Sequence, residues 1–205
     1  MTTFPSAAKL SVFLISLVAL SACSSKSDSK ADSTAIAPAT AVDTSTPSGT
    51  GNMQMSGMAN MTGDPDRDFL RMMSDHHKGL IAMVHPTLDK KENLAVKGDA
   101  SKMDKKQDAE IEKMITMLDQ QYKDAYTPSV MPDNQRMVDE LNGKSGADYS
   151  RTFLKNVIAH HQQAVKMIDD YLPKAKNPQV KSMAEKMKSD QTKEIAELQK
   201  KLSVM

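Results

Sequence analysis

Asp68-Phe69-Leu70-Arg71-Met72-Met73-Ser74-Asp75-His76-His77-Lys78-Gly79-Leu80-Ile81-Ala82-Met83 places apolar residues three, four and seven positions apart, the period of one helix face. Phe69, Met72, Met73, His76, Leu80 and Met83 share that face, while His77 shares a neighbouring stripe with Leu70, Met73, Ile81 and Val84. The stretch recurs 84 positions later without gaps: Phe69-Leu70 as Phe153-Leu154, His76-His77 as His160-His161, Met83 as Met167. The match runs on through Val96-Lys97/Val180-Lys181, Lys102-Met103/Lys186-Met187, Gln107/Gln191, Glu110-Ile111/Glu194-Ile195 and Leu118/Leu202. Such self-similarity marks a duplicated unit.

Each unit holds two helical patterns, about 66–85 and 93–122 in the first, 149–172 and 178–202 in the second. Asp64-Pro65 and Asn177-Pro178 are start signals, a capping side chain followed by Pro at the first helical position. A short extra helix is expected over 132–142, stopped by Gly143. Nothing reads as a strand. Two amphipathic hairpins must bury their stripes against each other, which predicts an all-α, up-and-down four-helix bundle over 64–205. In an up-down-up-down order the first and third helices would be parallel, with equivalent positions at one level.

Ahead of the bundle the chain changes character. Leu10–Leu20 is an apolar run behind Lys9, too short to span a membrane as a mature helix, and reads as the core of a secretory signal over 1–22. Leu20-Ser21-Ala22-Cys23 resembles the bacterial lipobox, which implies cleavage before Cys23 and acylation of the only cysteine. Ser24, rather than Asp, next to that cysteine favours the outer membrane in a double-membraned host. Residues 23–51 are Ser, Thr, Ala, Asp, Pro and Gly without apolar period, the composition of a flexible tether. In the segment 52–63, Met53, Met55, Met58 and Met61 stand with no Leu or Ile around them, so they are not core methionines. Lys+Arg is 27 and Asp+Glu 26, leaving no field of one sign to attract nucleic acid.

Four of the five histidines lie in the two His-His pairs. A single core histidine is ordinarily satisfied by a hydrogen bond. Two adjacent ones are costlier, because each brings two polar ring nitrogens into apolar surroundings. Their recurrence at equivalent positions, with Met a turn away, points to something that these atoms bind. Imidazole suits Zn, Cu, Fe and Ni, and thioethers narrow the choice towards Cu(I), with Ag(I) as a soft mimic. No His has a Glu three residues before it, as a carboxylate-bridged diiron bundle requires. There is no His-Glu-x-x-His, Gly-x-Ser-x-Gly or phosphate loop, so a binding protein is expected rather than an enzyme. The rivals are a cuprous oxidase, short of ligands here, and a metal-free helical adaptor with structural histidines.

The stretch from Asp68 to Met83 resembles the signature of a bacterial family of periplasmic copper-binding His-His/Met helical bundles, long labelled a domain of unknown function. The similarity covers about 66–202. It implies a ferritin-like bundle that sequesters or chaperones copper in the cell envelope for copper tolerance. The ligands it implies are Met72, Met73, His76, His77 and Met83, with His160, His161 and Met167. Asn156-Val157 stands where Met72-Met73 would recur, which favours one shared or asymmetric site. His85 at a helix end, and Met103 and Met187 on core stripes, are secondary candidates with plainer structural readings. The implied partners are copper ions, the membrane through Cys23, and a copper-exporting or copper-accepting envelope protein.

Overall fold

The structure, a computed structural model, describes residues 61–205; the signal, the tether and Met53, Met55 and Met58 lie outside the described residues. The described residues are all-helical, without strands: α1 Pro65–Asp89, α2 Lys97–Tyr122, α3 Pro132–Asp139, α4 Gly146–Tyr171 and α5 Pro178–Leu202, with a 3-10 turn at Leu172–Lys174. Both start signals act as capping predicts. Asp64 accepts from the backbone N–H groups of Asp66 and Arg67, and Asn177 from those of Gln179 and Val180.

The helix ends fall within three residues of the expected ones except at two boundaries. α1 runs through Pro86 to Asp89, although Pro removes an intrahelical hydrogen bond. The extra turn is held by Thr87, whose buried hydroxyl donates to the Met83 carbonyl (2.7 Å) and accepts from the Tyr149 hydroxyl (2.8 Å). α2 starts at Lys97 because Leu94 and Val96 are buried in the preceding loop, where they anchor it to the core.

The bundle is ferritin-like, with α1, α2, α5 and α4 around the core and antiparallel neighbours throughout. Within the hairpins, His85 meets Asp104 while Arg67 meets Asp124, and Lys188 meets Asp169 while His161 lies beside Glu194. Between them, Phe69 stacks on Tyr171 at 4.0 Å while Thr87 meets Tyr149, so α1 and α4 run in opposite directions. The expected parallel pairing of the first and third bundle helices is therefore corrected. The physical reason is the long connection after α2. It carries the chain from the end of the bundle near Arg67 to the opposite end, where the Gly146 N–H donates to Glu92 (2.7 Å) and α4 begins.

The two hairpins are thus related by a pseudo-twofold axis crossing the helices. Equivalent residues meet only where it passes: His76 with His160, and Lys106 with Asp190 at 3.7 Å. The crossover, with α3 in it, lies over the groove between α1 and α4. It comes so close that a Cβ on Gly79 would sit 2.0 Å from the Asn134 Nδ2.

Candidate metal site

The first histidine of each pair faces the axis. His76 and His160 are buried, with ring centroids 3.7 Å apart and planes inclined by 37°. His160 Nε2–H donates to the His76 carbonyl at 2.9 Å, which fixes its tautomer and leaves the Nδ1 lone pair without a protein partner. Neither ring nitrogen of His76 makes an aligned hydrogen bond. Burial, reinforced by the neighbouring histidines, pushes both groups well below the usual imidazole range. Both are neutral at neutral pH, the form that a metal requires.

The second histidine of each pair turns towards its own hairpin. His77 Nε2–H donates to Glu110 Oε2 at 2.8 Å, and His161 Nε2 lies 3.0 Å from Glu194 Oε2, out of line for a hydrogen bond. Burial pushes the Glu194 carboxyl up, but the contacts with His161 and Lys106 outweigh it and hold the group below its ordinary value. A carboxylate or carbonyl behind an imidazole is the arrangement that orients metal-ligating histidines. The four rings nevertheless do not converge: His76–His77 and His160–His161 centroids are 6.3 and 6.1 Å apart. Among the described residues no group of three or more His, Cys, Asp or Glu is arranged to hold a metal ion.

Donors of mixed type line a partly open cavity of about 330 Å3 between α1, α4 and the crossover. His76, Met72 and Met167 line it, with Met61 at the mouth, Met131 from the crossover and the Asn134 amide. Asn134 is buried, and neither its Nδ2 nor its Oδ1 has a protein partner. Asp68 draws in the chain before α1, accepting from the Thr62 N–H (2.7 Å) and hydroxyl (2.8 Å) and from the Gly63 N–H (3.0 Å). That places Met61, the one methionine of the Met-rich segment among the described residues, against the site.

The remaining sequence candidates lie elsewhere. Met73 is buried with Phe69, Met114 and Leu118 in one apolar cluster, and Met83 with Leu80, Val84 and Phe153 in another. Met103 and Met187 are buried in these same clusters, in the role of core residues. His85 is largely exposed and its Nε2 pairs with Asp104 Oδ1 at 3.0 Å. Met131 is the lining sulfur that the sequence reading did not single out. Its signal was the same as that of the Met-rich segment: a lone Met in a Pro-bounded polar stretch, away from any helical stripe.

The sequence matches the model of a family described as a domain of unknown function (DUF305) twice, over 18–118 and 119–202. The chain belongs to the DUF305 family. The two matches divide the protein as its internal repeat does. No curated protein matches the sequence. Among solved structures, this DUF305 chain is similar to CopM in its Cu(II)-bound form, at 26% identity and a TM-score of 0.57, covering 67% of this chain and 95% of that one. It is similar to CopM in its Cu(I)-bound form at 27% identity and 0.56, covering 66% and 93%. A DUF305 fragment from Deinococcus radiodurans, at 23% identity and 0.60 over 69% and 97%, shares the fold.

Proposed function

We propose that this DUF305 protein is a cell-envelope copper-binding protein, lipid-anchored through Cys23, that sequesters or hands on Cu(I) without catalysing a reaction. One observation carries the reading. A buried, neutral imidazole with no aligned hydrogen bond, His76, opens into the same cavity as the thioethers of Met72 and Met167. An imidazole and thioethers form a soft, uncharged donor set, which suits Cu(I) better than Zn(II) or Mg(II). The Gln163 side chain reaches the ring, but burying a ring nitrogen without an aligned partner costs roughly 1–3 kcal/mol, a cost that a metal bond at His76 would offset. The family relationship supports it, since CopM has been solved with Cu(I), Cu(II) and Ag bound.

The test is metal-dependent stability. A ligand that binds only the folded state stabilises by about 2.7 kcal/mol at a hundredfold excess over its Kd. Thermal melts should therefore rise with Cu(I) or Ag(I) more than with Zn(II), and His76→Leu with Met72→Leu should abolish most of that rise. A larger rise with Zn(II), or an undiminished one in the double variant, would sink the reading.

A further inference from the structure

We propose that Met131, delivered by the crossover, is a further thioether donor of the copper site, so that the connection between the repeats completes what the repeats do not. This rests on the copper reading above. Met131 lines the cavity with Met72, His76 and Met167, yet it belongs to neither apolar cluster, unlike Met73, Met83, Met103 and Met187. It caps the start of α3 with an extended backbone (φ −71°, ψ 149°), directly before Pro132.

Its place is fixed from both sides. Towards the N-terminus, Asp75 accepts from the Ser129 N–H at 2.8 Å and the Tyr126 hydroxyl at 2.6 Å, one bond to each carboxylate oxygen. The Arg71 guanidinium lies 5.2 Å over the Tyr126 ring and donates to Asp124 at 2.6 and 2.8 Å. Towards the C-terminus, the close approach of Gly79 lets Asn134 lie against α1. The helix that carries Met72 and His76 therefore also clamps the segment carrying Met131. Such a clamp sets a ligand in advance, which lowers the ordering cost of binding. The carboxylates that also line the cavity are engaged by other groups: both Asp75 oxygens accept hydrogen bonds, Asp68 accepts from Thr62 and Gly63, Asp133 meets Arg136 and Asp170 meets Lys166. That leaves the imidazole and the thioethers as the soft donors that suit a monovalent ion.

The full chain should be titrated with Cu(I) against a chromophoric Cu(I) chelator at one equivalent or less, and its metal sulfur count read by X-ray absorption. Wild type is compared with Met131→Leu, Met131→Gln, Met137→Leu and Met72→Leu. Met131→Leu and Met131→Gln should each weaken Cu(I) binding by roughly tenfold or more and lower the sulfur count by one, while helical circular dichroism stays unchanged. Met137, on α3 but outside the cavity lining, should tolerate Leu without effect on either reading. Wild-type affinity and sulfur count in both Met131 variants, with Met72→Leu weakened, would overturn the proposal and leave the copper reading standing. Wild-type binding in Met72→Leu as well would overturn both.

Discussion

The groove between α1 and α4 has two halves related by the pseudo-twofold axis, and the cavity lies in the first of them. In the first half the crossover is irregular, running from Lys123 to Met131, and leaves Met72, Met167 and Met131 around an open volume. In the second half α3 fills the groove. Met137 and Val138 pack with Leu141 against the cluster that contains Met83, and Asn156 Nδ2 donates to the Met137 carbonyl at 2.9 Å. Met83 and Met167 are repeat equivalents, as are Met72 and Asn156, yet Met83 lies in a core cluster and Asn156 against α3, while Met167 and Met72 line the cavity. Equivalent sequence does not give equivalent chemistry when one connecting segment covers two equivalent surfaces differently.

The largest expected effect concerns the inner histidines. The folded state holds His76 and His160 well below the 6.5 of a free imidazole, so it binds fewer protons than the unfolded chain once pH falls through that value. Stability from their neutral burial is present above about pH 6.5 and declines as pH drops below it. Melts of the metal-free protein from pH 8 to pH 4.5 should show that decline, and His76→Leu with His160→Leu should flatten it. A decline of the same steepness in the double variant would show that the axis histidines are not its cause.

Gly79→Ala comes next. The helix gains about 1 kcal/mol in propensity, but the added Cβ would lie 2.0–2.6 Å from Asn134 side-chain atoms, and overpacking costs about 1–3 kcal/mol. We expect a net loss of stability in urea titration together with weaker Cu(I) binding, both recovered by adding Asn134→Gly, which removes all three clashing atoms, Cβ included. Recovery of neither would mean that α3 does not depend on this contact.

Asn156→Met restores the sequence of the first repeat in the second. It should create no second copper site, because α3 occupies that half of the groove, and it should cost about 1 kcal/mol for the lost bond to Met137. A copper stoichiometry raised by one in a Cu(I) titration would break the comparison between the halves.

The smallest effect is at the clamp. Hydrogen bonds from Arg71, against the cost of burial and aided by Arg67, hold the Asp124 carboxyl at about 2 rather than 3.8. Its stabilisation is present above pH 3.8 and lost as pH falls towards 2. Discounted for the partial exposure of the two arginines, Asp124→Asn should cost about 1 kcal/mol at pH 7, read as a lowered urea midpoint, and little at pH 2.5.

Much of this was legible in the sequence, because a hydrophobic period and a capping residue are local facts. The repeat at an offset of 84 and the Asp64 and Asn177 caps determined two helical hairpins and hence a bundle. The His-His pairs with Met a turn away marked α1 and α4 as the helices that carry the candidate donors. The periodicity could not say which way α4 runs, since an amphipathic stripe packs equally well in either direction. That direction was decided by the length and path of the crossover, which crosses the bundle from end to end. With it went the meeting of His76 and His160, the burial of Met73 and Met83 in the core clusters, and the place of Met131 on the cavity wall. A stripe names the residues that face inward; only the packed chain sets which donors reach one point.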